Sequence, residues 1–109
     1  MASLTKNQKV MAIVEFLEGS PKGYCQFGSL VCRGNRIYTY GVLLAHVSRG
    51  GIETPSGNTV REISIDLNAK FYSATSSAHR NFVIAAAGCC DNCAVELIWH
   101  NDGLPDSFQ

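Results

Sequence analysis

Val10, Ile13, Val14 and Leu17 recur at helical spacing, which lines them up along one side of a helix. The stripe predicts a first helix capped by Ser3 or Thr5 and running to about Glu18, with Gly19, Ser20 and Pro21 as its stop. Asn7, Lys9 and Glu15 occupy the opposite side without forming a dense basic strip. Such a helix suits packing against a core and not burial in a lipid surface.

Beyond Gly23 the pattern shifts to alternation. Gln26 to Cys32 predicts a strand, Gly34 and Asn35 a turn, and Arg36 to about Val47 a second strand. Glycine precedes asparagine there, which leaves the turn type open. In the second strand Arg36, Tyr38, Tyr40 and His46 share one parity, and Ile37, Thr39, Leu43, Ala45 and Val47 share the other. The second set is the expected core face unless Gly41 introduces a bulge. Ser48 to Thr59, with three glycines and one proline, predicts a flexible connection. Val60 to Leu67 alternates again, Ile63, Ile65 and Leu67 against Glu62, Ser64 and Asp66.

Phe71 to Ser76 then leads into a second helix reaching about Ala87, and its run from Phe82 to Ala87 has so little polar surface that it implies burial against a sheet. Ala94 to His100 sets Val95, Leu97 and Trp99 against Glu96 and Ile98, which predicts a strand, with a short helix over 93–99 as the alternative. Residues 101–109 are polar, contain Gly103 and Pro105, and predict a frayed tail. The expected fold is one α+β domain over 1–109, with two main helices packed on a three- or four-stranded, mainly antiparallel sheet.

Composition narrows the function classes. The 109 residues suffice for one core, and nine Lys+Arg balance nine Asp+Glu, so no global positive field draws the chain to a phosphate backbone. Near-zero net charge also does little to oppose self-association, which makes a homo-oligomer the expectation. The chain shows no apolar secretory core and no stretch of membrane-spanning length, so a cytoplasm is the expected location. Five cysteines, at 25, 32, 89, 90 and 93, are read as reduced thiols and not as an extracellular disulfide framework.

The segment Tyr38 to Ala45, followed after another strand by Tyr72, Ser73, Thr75, Ser76 and His79, resembles small proteins of unknown function encoded by tailed bacteriophages. In that pattern a tyrosine-containing strand ends in a small apolar segment, here Leu44 and Ala45. A Tyr-Ser-x-Thr-Ser-x-x-His helix start comes later. The resemblance covers about Arg36 to Ala87, and Arg80 stands where a glutamine or another polar residue often follows the histidine. It implies an accessory phage protein in the host cytoplasm that binds a host component, with inhibition of a host-defence system as one such role. No activity comes with it.

Candidate chemistry is sparse. Thr75 or Ser76 is expected to cap the second helix, with Ser73 bonding in the preceding turn; joined by Arg80, the same helix start offers an alternative seat for a carboxylate or phosphate. His79 shares a helix face with Val83 and Ala86, which suits a half-buried structural histidine better than a base, since no strained nucleophile motif accompanies it. Cys90 and Cys93 have a two-residue spacing that zinc accepts, with His100, Cys25 or Cys32 to complete the ligands. Packed thiols are the preferred reading. Cys89 and Cys90 sit at the carboxyl end of a predicted helix, where the dipole disfavours a thiolate. No cofactor and no catalytic set is implied.

The preferred interaction surface is the parity set Arg36, Tyr38, Tyr40 and His46, since tyrosine and arginine bury large areas while keeping polar contacts. Arg49, Ile52 and Glu53 on the glycine-rich segment form a second contact surface. Together with Ser73, Thr75, His79 and Arg80 these residues predict a protein-binding module, not an enzyme. The alternative is a nucleic-acid-binding regulator, which would bring Arg33, Arg36, Arg49 and Arg61 into one basic patch. A small hydrolase or metal-dependent enzyme comes third.

Overall fold

A computed structural model describes residues 5–19, 23–53, 55–57, 59–70, 73–90 and 93–108. Ser3, Ser20, Pro21, Phe71 and Tyr72, which carry parts of the expected cap, stop and helix entry, lie outside the described residues. The elements run α1 (Lys6–Leu17), β1 (Tyr24–Phe27), β2 (Leu30–Arg33), β3 (Arg36–Thr39), β4 (Val42–Glu53), β5 (Thr59–Asn68), α2 (Ala74–Cys89), β6 (Cys93–His100) and a short 3-10 turn, Asp106–Phe108.

The sheet has six strands in sequence order and is mixed: β1 to β5 form an antiparallel meander, and β6 returns parallel to β5 after α2. It is larger than the expected three or four strands because two tight turns interrupt what alternation alone reads as continuous strands. Gly28 and Ser29 separate β1 from β2, and Tyr40 and Gly41 separate β3 from β4. Gly28 (φ 58°) and Gly34 (φ 64°) take positive φ at the first turn position while Ser29 and Asn35 do not, which is the type II′ pattern. Tyr40 (φ 50°) and Gly41 (φ 77°) are both positive, which is the type I′ pattern.

The expected flexible connection over Ser48–Thr59 is also mostly strand. β4 and β5 pair from Ala45↔Leu67 out to Glu53↔Thr59, so Gly50 and Gly51 lie in the ladder opposite Glu62 and Arg61. Glycine is a weak strand former, and here the length of the ladder overrides that preference.

Both helices contribute to one core on one face of the sheet. Val10, Ile13, Val14, Phe16 and Leu17 of α1, with Val83, Ala86 and Ala87 of α2, pack with Leu30, Cys32, Ile37, Ala45, Val47, Ile63, Ile65 and Leu67. Thr5 caps α1 in a reciprocal box: its hydroxyl accepts from Gln8 N at 3.2 Å and Gln8 Oε1 accepts from Thr5 N at 2.8 Å. Ser73, not Thr75 or Ser76, caps α2, accepting from Ser76 N at 3.1 Å. The Ser73 hydroxyl takes up one of the free amides of the first turn, so the helix starts at Ala74.

Residues 101–108, read from the sequence as a fraying tail, cross the opposite face of the sheet. Leu104 is buried there, and Phe108 packs its ring against His46 at 4.9 Å and His100 at 5.9 Å between centroids. Asp66 and Asn68 are buried as a result. Among the described residues no helix is long and apolar enough to cross a membrane.

Candidate functional site

The ten residues singled out in the sequence do not form one surface. Tyr40, Ser73, Thr75, His79 and Arg80 belong to the helix side of the molecule, at or near the start of α2. Arg36, Tyr38 and His46 lie on the opposite face of the sheet, and Arg49 and Glu53 belong to β4 beyond both groups.

At the start of α2 four side chains form a hydroxyl chain ending in an imidazole. Ser73 Oγ donates to Ser76 Oγ at 3.1 Å, Ser76 Oγ lies 3.5 Å from Thr39 Oγ1, and Thr39 Oγ1 lies 2.7 Å from His79 Nδ1. Tyr40 stacks beside the imidazole at 6.4 Å, and Phe82 tilts against it at 6.3 Å between centroids. Burial lowers the His79 pKa, and Lys9 lowers it further, so the ring is neutral at pH 7 and its Nδ1 meets Thr39 Oγ1 as donor or acceptor according to the tautomer. Thr39 is only 1% exposed. A hydroxyl so enclosed has no room for an electrophile, and the chain of bonds instead joins β3 to α2 and holds the Tyr40 turn in place.

Arg80 turns away from the helix start and donates to the carbonyls of Asn68 at 3.4 Å and Lys70 at 3.5 Å. Thr75 is exposed in the first helical turn. With Ser73 already on the Ser76 amide and Arg80 directed to β5, the residues expected to seat an anion are engaged with the protein itself.

The opposite face of the sheet divides in two. Over β4 to β6 it is roofed by residues 101–108: Arg36 Nε donates to Phe108 O at 3.1 Å, His46 Nε2 lies 3.2 Å from Asn35 Nδ2, and His100 Nε2 meets Asp66 Oδ1 at 2.9 Å. A depression of about 350 Å³ lined by Leu43, Asn68, Asp102 and Leu104 lies at its margin. His46 Nδ1 is buried there and has no hydrogen-bond partner among the described residues.

Over β1, β2 and Tyr38 of β3 the same face is bare among the described residues. Register sets Val31 opposite Tyr38 and Gln26, and Arg33 opposite Arg36 and Tyr24. Val31, Arg33, Tyr38 and Gly41 line an open depression of about 410 Å³. Tyr24, 40% exposed, donates its hydroxyl to Gln26 Oε1, and Gln26 Nε2 donates to Gly28 O at 3.1 Å, which holds the rim of this surface in one arrangement. Tyr24, Gln26 and Val31 escape sequence reading, while Arg33 is expected only in the basic patch, because membership of this surface depends on the two-residue turns that set β1 and β2 beside β3. Gly28–Ser29 is the signal that identifies them.

The Arg49 guanidinium is engaged within the fold. It projects to the helix side, where Nε donates to Leu17 O at 3.0 Å, Nη2 to Phe16 O at 2.6 Å and Nη1 to Gly34 O at 3.2 Å, with the guanidinium 5.0 Å from the Phe16 ring centroid. Burial lowers its pKa, and Arg61 beside it lowers it further. β4 ends at Glu53, whose side chain is outside the described residues. The four arginines of the nucleic-acid alternative thus fall into two pairs, Arg33 with Arg36 on the face opposite the helices and Arg49 with Arg61 on the helix side.

No disulfide joins Cys25, Cys32, Cys89, Cys90 and Cys93. Among the described residues no group of three or more His, Cys, Asp or Glu side chains converges as metal ligands. No protein-family model, curated protein or solved structure matches the chain.

Proposed function

We propose that the domain works by stoichiometric binding of a protein through the bare face of β1 to β3, as an accessory protein of a tailed bacteriophage acting in the host cytoplasm on a host component such as a defence system. The observation that carries this reading is the shallow depression between Val31, Arg33, Tyr38 and Gly41, with Tyr24 at its rim. Exposed tyrosine and arginine around a small apolar floor is the composition of interface hot spots, and flatness suits a protein better than a small molecule. The phage context comes from the resemblance over Arg36 to Ala87.

Separation of Arg33 and Arg36 from Arg49 and Arg61 favours protein binding over the nucleic-acid alternative, because phosphate recognition gains from charges that act on one backbone together. A second copy of the chain is the further partner we infer, through β6. That strand is the last in the sheet and leaves Trp99 51% and Ile98 36% exposed. An open strand edge with apolar side chains pairs readily with another strand.

The test is affinity recovery of the tagged protein from nuclease-treated bacterial lysate at low and moderate salt. One protein should be retained at near-equal stoichiometry and lost with Arg33→Glu or Tyr38→Ala. Met11→Ser, exposed on α1, should keep it. Recovery that needs nucleic acid, or that ignores both bare-face substitutions, would overturn the assignment.

A further inference from the structure

Two of the five cysteines stand directly across a ladder from each other. β1 and β2 pair in the register Tyr24↔Arg33, Cys25↔Cys32, Gln26↔Val31, Phe27↔Leu30. Gly34 N donates to Gly23 O at 2.9 Å just beyond the end of that ladder. Counting inward by the alternation of an antiparallel pair, Tyr24 and Arg33 are a non-hydrogen-bonded pair and Cys25 and Cys32 a hydrogen-bonded one. Such a pair has a Cα separation of about 5.5 Å, within the range a disulfide spans, while its Cβ atoms, about 5.5 Å apart, must draw together by about 1–2 Å for the bond to close. Both side chains point to the helix face, where Cys25 packs at the margin of the core and Cys32 within it.

We infer that Cys25 and Cys32 are a dithiol–disulfide site, closed by two-electron oxidation with a low-molecular-weight disulfide such as oxidised glutathione as the oxidant.

The environment of the pair sets the order of events. Cys32 is 0% exposed and Cys25 half-buried, so the oxidant meets Cys25. A hydrogen bond with Cys25, then burial, then the charge of Cys25 hold the Cys32 thiol far above the ordinary range. The Cys25 thiolate attacks one sulfur of the oxidant, forming a mixed disulfide and expelling one glutathione thiolate with the bonding electron pair. Capping Cys25 removes both of its effects on Cys32. Cys32 then releases its proton, attacks the Cys25 sulfur, and expels the second glutathione thiolate. Two protein thiols become one disulfide, and one oxidised glutathione becomes two reduced ones.

The bond would staple β1 to β2 from the helix side, beneath the strands that present Tyr24, Gln26, Val31 and Arg33 on the other. In the parallel β5–β6 ladder Cys93 faces Arg61 and not a cysteine.

The chain offers a direct assay. Trypsin cuts after Lys22 and Arg33, so a single peptide, residues 23–33, holds Cys25 and Cys32 and no other cysteine. Folded full-length protein is equilibrated in reduced and oxidised glutathione mixtures, quenched with acid, alkylated under denaturing conditions and digested. The expected result is that peptide 23–33 goes from doubly alkylated to unalkylated with the loss of two hydrogens, while Cys32→Ser stops at a glutathione adduct on Cys25. A peptide that remains doubly alkylated while Cys89, Cys90 or Cys93 is oxidised would overturn the assignment. So would Cys25 recovered in linkage to another peptide, or held as a glutathione adduct in the wild-type chain.

Discussion

Replacing Arg49 by alanine tests whether a sheet residue caps a helix at long range. The last carbonyls of a helix have no partner within it, and α1 has no basic residue in its own final turn. Arg49 supplies one from β4, to Phe16 O at 2.6 Å and Leu17 O at 3.0 Å. Phe16 O keeps a bond from Gly19 N at 3.1 Å when Arg49 is removed, whereas among the described residues Leu17 O is met by the guanidinium alone. Charge-assisted hydrogen bonds contribute about 1.5–3 kcal/mol each. Taking the low end for the two partly buried bonds gives about 3 kcal/mol. The contact with Phe16 adds about 0.5–1 kcal/mol, and relief of repulsion from Arg61 offsets about as much.

Arg49→Ala should therefore destabilise the fold by roughly 3 kcal/mol, a large share of the stability of a small domain. Urea unfolding followed by far-ultraviolet circular dichroism should show the midpoint falling with an unchanged slope, and thermal unfolding should shift by roughly 10–20 °C. Arg49→Met keeps the apolar stem over Phe16 but none of the donors, and should still lose about 2 kcal/mol. An alanine variant within about 0.5 kcal/mol of wild type, the scatter of ordinary surface changes, would refute the capping argument. A methionine variant equal to wild type would reduce it to packing alone.

Three further outcomes are expected. Because burial and Lys9 lower the His79 pKa in the folded chain, folding is favoured fully above the ordinary histidine value and loses that contribution as pH falls below it. His79→Gln should flatten this part of the urea midpoint between pH 7.5 and 5, and an unchanged slope with pH would exclude His79 as its source. Tyr40→Asn, at φ 50° in the β3–β4 turn, should stabilise the fold by about 0.5–1 kcal/mol in thermal unfolding, since asparagine tolerates that conformation better than tyrosine; a loss of stability would show that the stacking on His79 outweighs the backbone term. Ile98→Lys should lower the mass measured by light scattering if β6 pairs two copies, and a wild-type chain that is monomeric at all concentrations would dispose of that interface.

The parts of this fold legible in the sequence are those where one period persists. The apolar stripe of α1, the long alternation of β5, the apolar run of α2 and the alternation of β6 all appear where they are expected. β1, β2 and β3 are four residues each, joined by two-residue turns, so no stretch is long enough for its alternation to stand out. Gly28 and Gly41 read equally well as single glycines inside longer strands. Arg49 was hidden for a different reason, since its partners on α1 lie more than thirty residues away. Its position is nonetheless a signal: it continues the parity of Ala45 and Val47 on the core face of β4, where an arginine needs buried acceptors.

The core face of the segment from Arg36 to Val47 shows how two unseen features cancel. A two-residue turn pairs Thr39 with Val42, so parity inverts at Tyr40–Gly41. The β3–β4 register then slips between Ile37 and Tyr38, which face Ala45 and Leu43, and the extra residue Leu44 inverts parity a second time. Ile37, Thr39, Ala45 and Val47 consequently all face the helices, as a single continuous strand predicts. Only residues between the two inversions are misplaced. Leu43 moves to the opposite face beside Leu104, Leu44 enters the core, and Tyr40 leaves the tyrosine face for the turn beside His79. The same double inversion keeps Arg36, Tyr38 and His46 on one face while dividing their roles: Tyr38 borders the bare depression, and Arg36 and His46 lie under Phe108. A bulge that restores the register after a tight turn thus does more here than bend the strand. It lets a four-residue hairpin strand and a twelve-residue one share a single core, and it leaves β1 to β3 projecting past the part of the sheet that the C-terminal segment covers.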